Sequence, residues 1–236
     1  MSTIVIIPAM DEEKKIGIVV SGILKYAEGL VDEVIVIDDG SSDKTAIVAE
    51  KSGATVISHP KNKGVGAAIR TGIDYAVQNN FDICVVMGGD AQDDPHEINR
   101  VISPILNDTY DFVQGSRFYG AVVNFPIFRK ITTYLFSLFF KIVAGVKITD
   151  ASNGYRAFRT KIVKDQKINL HQHWLDRYEL EPYLLLQTIK KGYKITEVPV
   201  TKMYFKELGY SKMKPILSWW HILRPLIKEI FHRISI

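Results

Sequence analysis

The strongest constraint on the fold is a regular alternation of short, continuous apolar runs with longer stretches of helical spacing. The apolar runs predict strands over Thr3–Pro8, Glu33–Ile37, Thr55–His59, Ile83–Met87 and Phe112–Gly115. The intervening stretches predict helices over Glu12–Tyr26, Asp43–Lys51, Val65–Gln78 and Pro95–Leu106. Strands that are apolar along their whole length are typical of parallel sheets covered by helices on both faces. We therefore expect an α/β fold, with a Rossmann-like, mostly parallel sheet flanked by helices.

The second half of the chain is less regular. It predicts an aromatic-rich helix over Phe125–Ala144, a loop from Asp150 leading into a short strand near Phe158, and a helix over Glu179–Lys191. A strand over Lys194–Val200 follows, and Pro215–Ile234 reads as a basic, tryptophan-bearing amphipathic helix. We divide the chain into one domain over residues 1–212 and a C-terminal helical appendage over residues 213–236.

Charge and cysteine content limit the function classes. The 236-residue chain carries a net charge of +4, and its cations become denser from Lys190 to Arg233. This mild excess favours an anionic ligand or an anionic membrane surface over nucleic acid. The single cysteine, Cys84, lies in an apolar run and reads as a buried strand residue, which is consistent with a reducing, cytoplasmic compartment. The longest apolar run, residues 131–140 before Lys141, is too short to span a bilayer.

Polar residues cluster where the predicted strands end. The segments are Pro8–Glu12, Asp38–Asp43, Lys61–Gly66, Gly88–Pro95 and Gly115–Arg117. Because the carboxyl ends of parallel strands meet at one edge of a sheet, we expect these segments to surround a ligand. Taken alone, the second segment, Asp38–Asp43, is also compatible with a simple turn that caps the next helix. Gly64 is likewise compatible with the start of a helix.

The fourth segment carries oxygen ligands of the kind that magnesium prefers. Asp90 and Gln92 are spaced to point the same way from an extended turn. Mg²⁺ takes few protein ligands and completes its shell with water and phosphate. Two glycines before Asp90 would allow a diphosphate to approach the backbone. Either Asp93 or Asp94 is expected to cap the following helix instead. The histidines show no spacing typical of a metal site.

Together these motifs resemble the family-2 inverting glycosyltransferases of the GT-A fold, in particular the branch that glycosylates polyprenyl phosphates. The motifs, quoted in one-letter code, are IPAMDE, IDDGSSDKT, NKGVGAA, GDAQDDP, GSR, SNGYRAF and LGYSK. They run from Pro8 to about Lys212. The second and fourth are the most specific, and the ordered set is much harder to obtain by chance than any one of them.

The resemblance implies roles for individual residues. A nucleotide sugar would be bound by Pro8, Asp11, Glu12, Asp38, Asp39, Gly64, Asp90, Lys206, Ser211 and Lys212. Mg²⁺ or Mn²⁺ would be held by Asp90 and Gln92. Catalytic roles fall to Asp90, Arg117 and Glu181. The acceptor would meet Arg117, Arg129, Lys130, Asn153 and Arg156. Two departures stand out: Gly88 replaces the acid with which the family's motif usually begins, and Lys206 replaces a common arginine.

The resemblance also implies a reaction, a displacement that inverts the anomeric carbon of a UDP- or GDP-linked sugar. The acceptor is expected to be a polyprenyl or dolichyl phosphate, which is already anionic near pH 7 and needs no strong base. A glycan hydroxyl acceptor would need a base, for which Glu181 and Asp176 are the candidates. A silent nucleotide-sugar-binding module stays open because of Gly88. A nucleotidyltransferase is disfavoured because Pro8–Glu12 is not a glycine-rich, basic loop.

Two segments favour a membrane surface. One is the start of the aromatic helix at residues 126–130, and the other is the C-terminal helix. The second suits an interfacial anchor, but it is equally compatible with packing on the domain or in a homodimer seam. We expect a cytoplasmic protein that is peripheral on the inner face of the cell membrane.

Overall fold

The structure is a computed structural model that describes residues 1–204 and 215–234; for 215–218 and 232–234 it describes the backbone only. The strands are β1 (Thr3–Ala9), β2 (Glu33–Asp38), β3 (Thr55–Ser58), β4 (Ile83–Val86), β5 (Phe112–Ser116), β6 (Val122–Val123), β7 (Arg156–Arg159), β8 (Ile195–Pro199) and β9 (Lys202–Met203). The helices are α1 (Ile16–Tyr26), α2 (Thr45–Lys51), α3 (Val65–Gln78), α4 (Ile98–Leu106), α5 (Ile127–Ala144), α6 (Thr160–Lys164), α7 (Leu180–Lys190) and α8 (Pro215–Ile234).

The central sheet has seven strands in the order β3-β2-β1-β4-β7-β5-β8. Strands β1 to β4 are parallel, and β5 is parallel to β8, which confirms the predicted mostly parallel sheet. Strand β7 is antiparallel to both neighbours and lies between β4 and β5. The short strands β6 and β9, and helix α6, were not predicted. Strand β9 matters for the site because it pairs with β6 beside the end of β4.

Successive residues of the strands point to opposite faces of the sheet and belong to two separate apolar layers. On β1, Ile4 and Ile6 pack under α3, α5 and α7, whereas Val5 and Ile7 pack under α1 and α4. Both sets are fully buried, which explains why the strands read as continuous apolar runs. Cys84 belongs to the first layer and is buried as predicted.

Two predicted helices begin later than the sequence indicated. The segment from Glu12 forms a turn, and α1 starts at Ile16. The segment from Pro95 forms a 3-10 turn to Glu97 before α4 starts at Ile98. The Asp94 side chain caps that turn by accepting the His96 N–H at 3.0 Å. Both delays place polar backbone, rather than helix, directly after a strand at the ligand-binding edge.

Helix α8 packs on the domain through α5 and α7. Its residues Ile222 and Leu226 are buried in the first apolar layer. Its Glu229 pairs with Lys190 of α7 at 2.7 Å. Packing on the domain, one of the alternatives considered for this helix, therefore explains its buried residues. Within the described ranges, the structure has no helix long and apolar enough to cross a bilayer.

Candidate active site

A cavity of about 270 Å³ lies at the carboxyl ends of β1, β4 and β5. Helices α5 and α8 and the start of α7 close its other sides. Its wall includes Pro8, Gly88, Asp90, Gln92, Asp93, Arg117, Phe128, Arg129, Thr132, Asn153, Glu181, Lys202, Tyr204, Trp219 and Ile222. Four of the five strand-end segments that the sequence singled out contribute residues to this cleft, and the segment Asp38–Asp43 does not. The cleft is apolar on the side of α5 and α8 and charged on the side of the sheet.

The acidic turn after β4 directs its carboxylates to separate partners. Asp94 caps the 3-10 turn, as described above. Asp93 is 2% exposed and accepts the Lys202 Nζ–H at 2.9 Å on one oxygen, while its other oxygen lies 3.3 Å from the Gly88 nitrogen. Asp90 accepts the Gln92 N–H at 3.2 Å and borders the cavity. Asp90 and Gln92 are therefore the residues of this turn with oxygen atoms to offer a ligand.

The turn is suited to a divalent cation that needs few protein ligands. Ala91, between Asp90 and Gln92, has a φ of 57°, which a residue with a Cβ adopts at a cost of about 1–2 kcal/mol. This conformation reverses the chain so that both neighbours reach the cavity. A Cβ at Gly88 would lie 3.2 Å from the nearer Asp90 oxygen and 3.4 Å from an Asp93 oxygen, so a larger residue at this position would crowd both carboxylates. One carboxylate and one amide suit Mg²⁺, which keeps water and phosphate as its other ligands.

Lys202 is a charged residue of the site that the sequence did not single out. It comes from β9, lines the cavity and is 12% exposed. Although burial disfavours its charge, Asp93 and then Asp90 raise its pKa above the usual lysine value. Strand β9 is fixed to the acidic turn because the Met203 N–H donates to the Gln92 carbonyl at 2.8 Å.

Asp39, one of the residues predicted to bind the nucleotide sugar, organises the loop before α3. Its buried carboxylate accepts the N–H groups of Lys63 at 2.9 Å and Gly64 at 2.8 Å. One oxygen also lies 2.7 Å from Nδ1 of His59, whose Nε2 lies 3.0 Å from the Thr71 hydroxyl. Gly64 has a φ of 107°, and a Cβ there would lie 2.3 Å from a backbone oxygen of the loop before α7. Glycine is therefore required at this position.

The other residues predicted to bind the nucleoside lie beside β1 and β2. Asp38 accepts the Ser41 N–H at 3.1 Å, and Asp11 accepts the Ser42 N–H at 2.8 Å. Glu12 pairs with Lys15 at 2.7 Å. Of this group only Pro8 belongs to the wall of the cavity. The carboxylates of this group form hydrogen bonds and an ion pair within the loops that adjoin the cavity.

Arg117 is held by a buried ion pair. Its Nε and Nη2 atoms donate to the two oxygens of Asp150 at 2.6 and 2.7 Å, and Nη2 also donates to the Ser152 hydroxyl. Burial would raise the pKa of Asp150, but Arg117 lowers it below the usual value. The guanidinium still borders the cavity, with Nη1 3.4 Å from the Tyr204 hydroxyl. It offers a fixed cation to an anionic ligand.

The residues predicted to meet the acceptor divide into two groups. Arg129 lies over the Tyr204 ring, 5.2 Å from its centroid, and lines the cavity together with Asn153. Lys130 is exposed and lies outside the cavity wall. Arg156 is 1% exposed and donates to Glu181 Oε1 at 3.2 Å. The structure therefore gives Arg156 a positioning role rather than a contact with the acceptor.

Glu181 and Asp176, the two candidate bases, differ in placement. Glu181 lines the cavity and its side chain is 18% exposed. Asp176 instead pairs with Arg70 at 2.5 Å and is absent from the cavity wall. Only Glu181 is placed to serve a bound acceptor. The predicted donor-binding residues Lys206, Ser211 and Lys212 lie outside the described residues.

Comparisons with known proteins found a matching family model and similar relatives. The family model described as Glycosyl transferase family 2 matches residues 4–166. A UDP-N-acetylglucosamine–dolichyl-phosphate N-acetylglucosaminyltransferase of Methanococcus voltae is 32% identical, over 84% of this chain and 84% of the relative. A polyprenol monophosphomannose synthase of Mycolicibacterium smegmatis is 30% identical, over 89% of this chain and 80% of the relative.

One solved structure shows how far the fold likeness extends. Glucosyl-3-phosphoglycerate synthase from Mycobacterium tuberculosis, crystallised with Mn²⁺, UDP and glucosyl-3-phosphoglycerate, matches with a TM-score of 0.73 at 22% identity. The match covers 100% of this chain and 80% of that one. This likeness confirms the predicted fold class.

Proposed function

The chain belongs to glycosyl transferase family 2, and from this we propose that it transfers a sugar from a UDP- or GDP-linked donor to a polyprenyl or dolichyl phosphate, with inversion. One observation supports the lipid acceptor above others. The charged cavity lies next to the exposed apolar residues of α5, and Phe128 belongs to both. Relatives named for dolichyl phosphate and polyprenol substrates support the same acceptor class.

The apolar face of α5 supports a seat on a membrane surface. We define the α5 stripe as the exposed residues Ile127, Phe128, Ile131, Tyr134, Leu135, Leu138 and Ile142, which are 42–71% exposed. They recur at helical spacing on one side of the helix. The helix also carries Arg129, Lys130 and Lys141 but no acidic residue. An apolar stripe with cations suits an anionic lipid surface, and a lipid phosphate seated there would reach the cavity directly.

In the proposed reaction the lipid phosphate attacks the anomeric carbon, and the nucleoside diphosphate departs. Asp90 and Gln92 would hold a divalent cation, which when bound neutralises charge on the departing diphosphate. Arg117 and Arg129 would hold the acceptor phosphate at the cavity wall. Since that phosphate is already ionised near pH 7, the reaction needs no proton transfer to Glu181.

A glycan hydroxyl acceptor is the second candidate, because Glu181 lines the cavity. In that case Glu181 would take the proton of the attacking hydroxyl. Arg156 holds the carboxylate in place, as described above. The two acceptor classes thus make opposite demands on the same side chain.

The full chain should be incubated with UDP- and GDP-sugars, Mg²⁺ or Mn²⁺, and polyprenyl phosphate in anionic vesicles. The expected products are a nucleoside diphosphate and a lipid-linked sugar whose anomeric configuration, read by NMR, is inverted. Polyprenol without the phosphate is the matched control and should yield none. Transfer only to a glycan would support the second candidate. Tight donor binding with no turnover on either acceptor would contradict both and favour a silent module.

A further inference from the structure

The pair formed by Lys202 and Asp93 is not explained by stability alone. Both side chains are largely buried, with exposures of 12% and 1%. A buried ion pair costs desolvation that its attraction does not reliably offset, and an apolar pair of similar size is often as stable. The pair sits on the cavity wall rather than in the apolar layers. A fixed charge at that place acts on whatever enters the cavity.

The surroundings of Lys202 indicate what it would bind. Within the described part of the chain, the Lys202 ammonium has one hydrogen-bond partner, the Asp93 carboxylate, and an ammonium has three N–H donors. Lys202 is held to Asp93, three residues after Asp90 in the same turn, and both Lys202 and Asp90 line the cavity, so the lysine and the proposed metal-binding carboxylate share one region of it. An anion that meets Asp90 through a cation would also meet Lys202.

The other cations in the described part of the cavity wall lie away from the acidic turn. The Arg117 guanidinium donates to both oxygens of Asp150 and to Ser152. Arg129 stacks on Tyr204 on the side of α5. Among the described residues of the cavity wall, Lys202 is the cation on the side of the acidic turn, where it lines the cavity together with Asp90 and Gln92. Its ammonium can therefore meet a phosphate group that enters the cavity there.

We propose that Lys202 is a phosphate-binding residue of this cavity, whose ammonium, fixed by Asp93, binds a substrate phosphate oxygen beside Asp90. The inference rests on the proposed function, since it requires a phosphorylated substrate. The phosphate belongs either to the donor diphosphate or to the lipid acceptor, and both present the same chemistry. With Gly88 in place of an acid, the acidic turn pairs the Asp90 carboxylate with one fixed positive charge, that of Lys202.

The test compares binding of UDP and GDP with binding of uridine and guanosine, by titration calorimetry of the full chain in EDTA and in Mg²⁺. Lys202→Met should weaken binding of the matching nucleoside diphosphate about tenfold, the loss of one charge-assisted contact, and leave the nucleoside unchanged. Lys202→Arg should retain most of the affinity. Equal weakening of the nucleoside and the nucleoside diphosphate in a folded variant would overturn the proposal.

A charge-balanced variant guards against misfolding, because Lys202→Met alone leaves a buried carboxylate unpaired. Lys202→Met with Asp93→Asn removes one charge of each sign and should show the same selective loss. Its matched control is Lys190→Met with Glu229→Gln, which removes a similar pair between α7 and α8 and should bind nucleotides as the wild type does. Circular dichroism and urea unfolding check that each variant is folded.

Steady-state kinetics of sugar transfer distinguish a contact with the donor diphosphate from a contact with the acceptor phosphate. If binding of the nucleoside diphosphate is unchanged but the KM for polyprenyl phosphate rises about tenfold, Lys202 binds the acceptor phosphate. If neither changes in a folded variant, the proposal is wrong while the proposed function stands. If the wild type binds no nucleoside diphosphate and transfers no sugar, the proposed function itself fails and this inference falls with it.

Discussion

Nδ1 of His59 lies 2.7 Å from an oxygen of Asp39, and both side chains are buried at the carboxyl end of β2. The same carboxylate accepts the N–H groups of Lys63 and Gly64. One aspartate thus joins the end of β2, the end of β3 and the start of α3. This side chain holds the loop that leads into α3 against the sheet.

Replacing Asp39 with asparagine should therefore loosen that loop. The amide of Asn presents only one acceptor oxygen, so one of the three donors loses its partner. We expect a loss of about 1–3 kcal/mol in the free energy of unfolding, measured in urea, together with weaker binding of nucleoside diphosphate.

Asp32→Asn is the matched control for this change. Asp32 also accepts a backbone N–H, from Thr3 at 2.7 Å, but at the opposite edge of the sheet. It should lower stability without changing nucleotide affinity. Equal effects of the two variants on affinity would contradict a local role for Asp39.

Asp90→Asn should remove the response to divalent cations. It keeps the size of the side chain but removes the carboxylate that the proposal assigns to the metal. The transfer rate should fall about 100-fold, the usual loss when stabilisation of a departing anion is impaired. Binding of Mn²⁺, followed by electron paramagnetic resonance, should weaken in parallel.

Asp94→Asn provides the control within the same turn. That side chain caps the 3-10 turn at Pro95–Glu97, so its loss should cost at most about 1 kcal/mol of stability and leave the metal response intact. A metal response that survives in Asp90→Asn but is lost in Asp94→Asn would overturn the assignment.

Glu181→Gln decides between the two acceptor classes. With a lipid phosphate as acceptor the rate should stay close to that of the wild type, since no proton is removed. With a hydroxyl acceptor it should fall at least about 100-fold. Rates on both acceptors, measured with donor at saturation, give the answer. Arg156 can still donate to the amide oxygen of the variant, so a large rate loss on lipid phosphate would mean that Glu181 acts there too.

The α5 stripe predicts where the protein meets a membrane. Ile131→Glu with Ile142→Glu places two charges on the stripe, at positions that are 52% and 69% exposed. This variant should float severalfold less well with anionic vesicles, because charges in the interface oppose insertion. Both residues are already exposed, so stability should change little.

The chain offers a closely matched control for that experiment. Ile18→Glu with Ile47→Glu makes the same change at positions on α1 and α2 that are 66% and 51% exposed. It should float as the wild type does. Equal flotation of the two variants would remove the stripe as a membrane seat. These variants are preferable to deletion of residues 213–236, because α8 buries Ile222 and Leu226 and its loss would uncover the core.

The sequence predicted the edge of the sheet that carries the site, but not the pairs within the site. An apolar run indicates that a strand is buried. The shared direction of parallel strands then places Asp38 and Asp90 at the same edge of the sheet, where the strands end. An apolar run does not show which strand it pairs with, so the sequence did not predict that β7 lies antiparallel between β4 and β5. The contact between Asp93 and Lys202 spans 109 positions and depends on the short strand β9. No local pattern encodes such a pair.

The buried pair of Arg117 and Asp150 predicts a distinct sensitivity to acid. Because Arg117 holds the pKa of Asp150 below its usual value, the ionised carboxylate stabilises the folded chain. That contribution is present in full above the usual aspartate pKa of about 4 and is lost as the pH falls towards the lowered value. Asp150→Asn should lose about 3–5 kcal/mol at pH 7, because it leaves a buried guanidinium without its counter-charge.

The difference between the wild type and Asp150→Asn should therefore shrink as the pH is lowered below about 4. Urea unfolding at a series of pH values measures it directly. Asp108→Asn is a suitable comparison, since that carboxylate also pairs with an arginine, Arg159, but is 76% exposed. Its effect should be within about 1 kcal/mol at any pH. A difference for Asp150→Asn that stays constant from neutral to acid pH would show that its carboxylate is not ionised in the folded state, and that the Arg117 cation is held by other means.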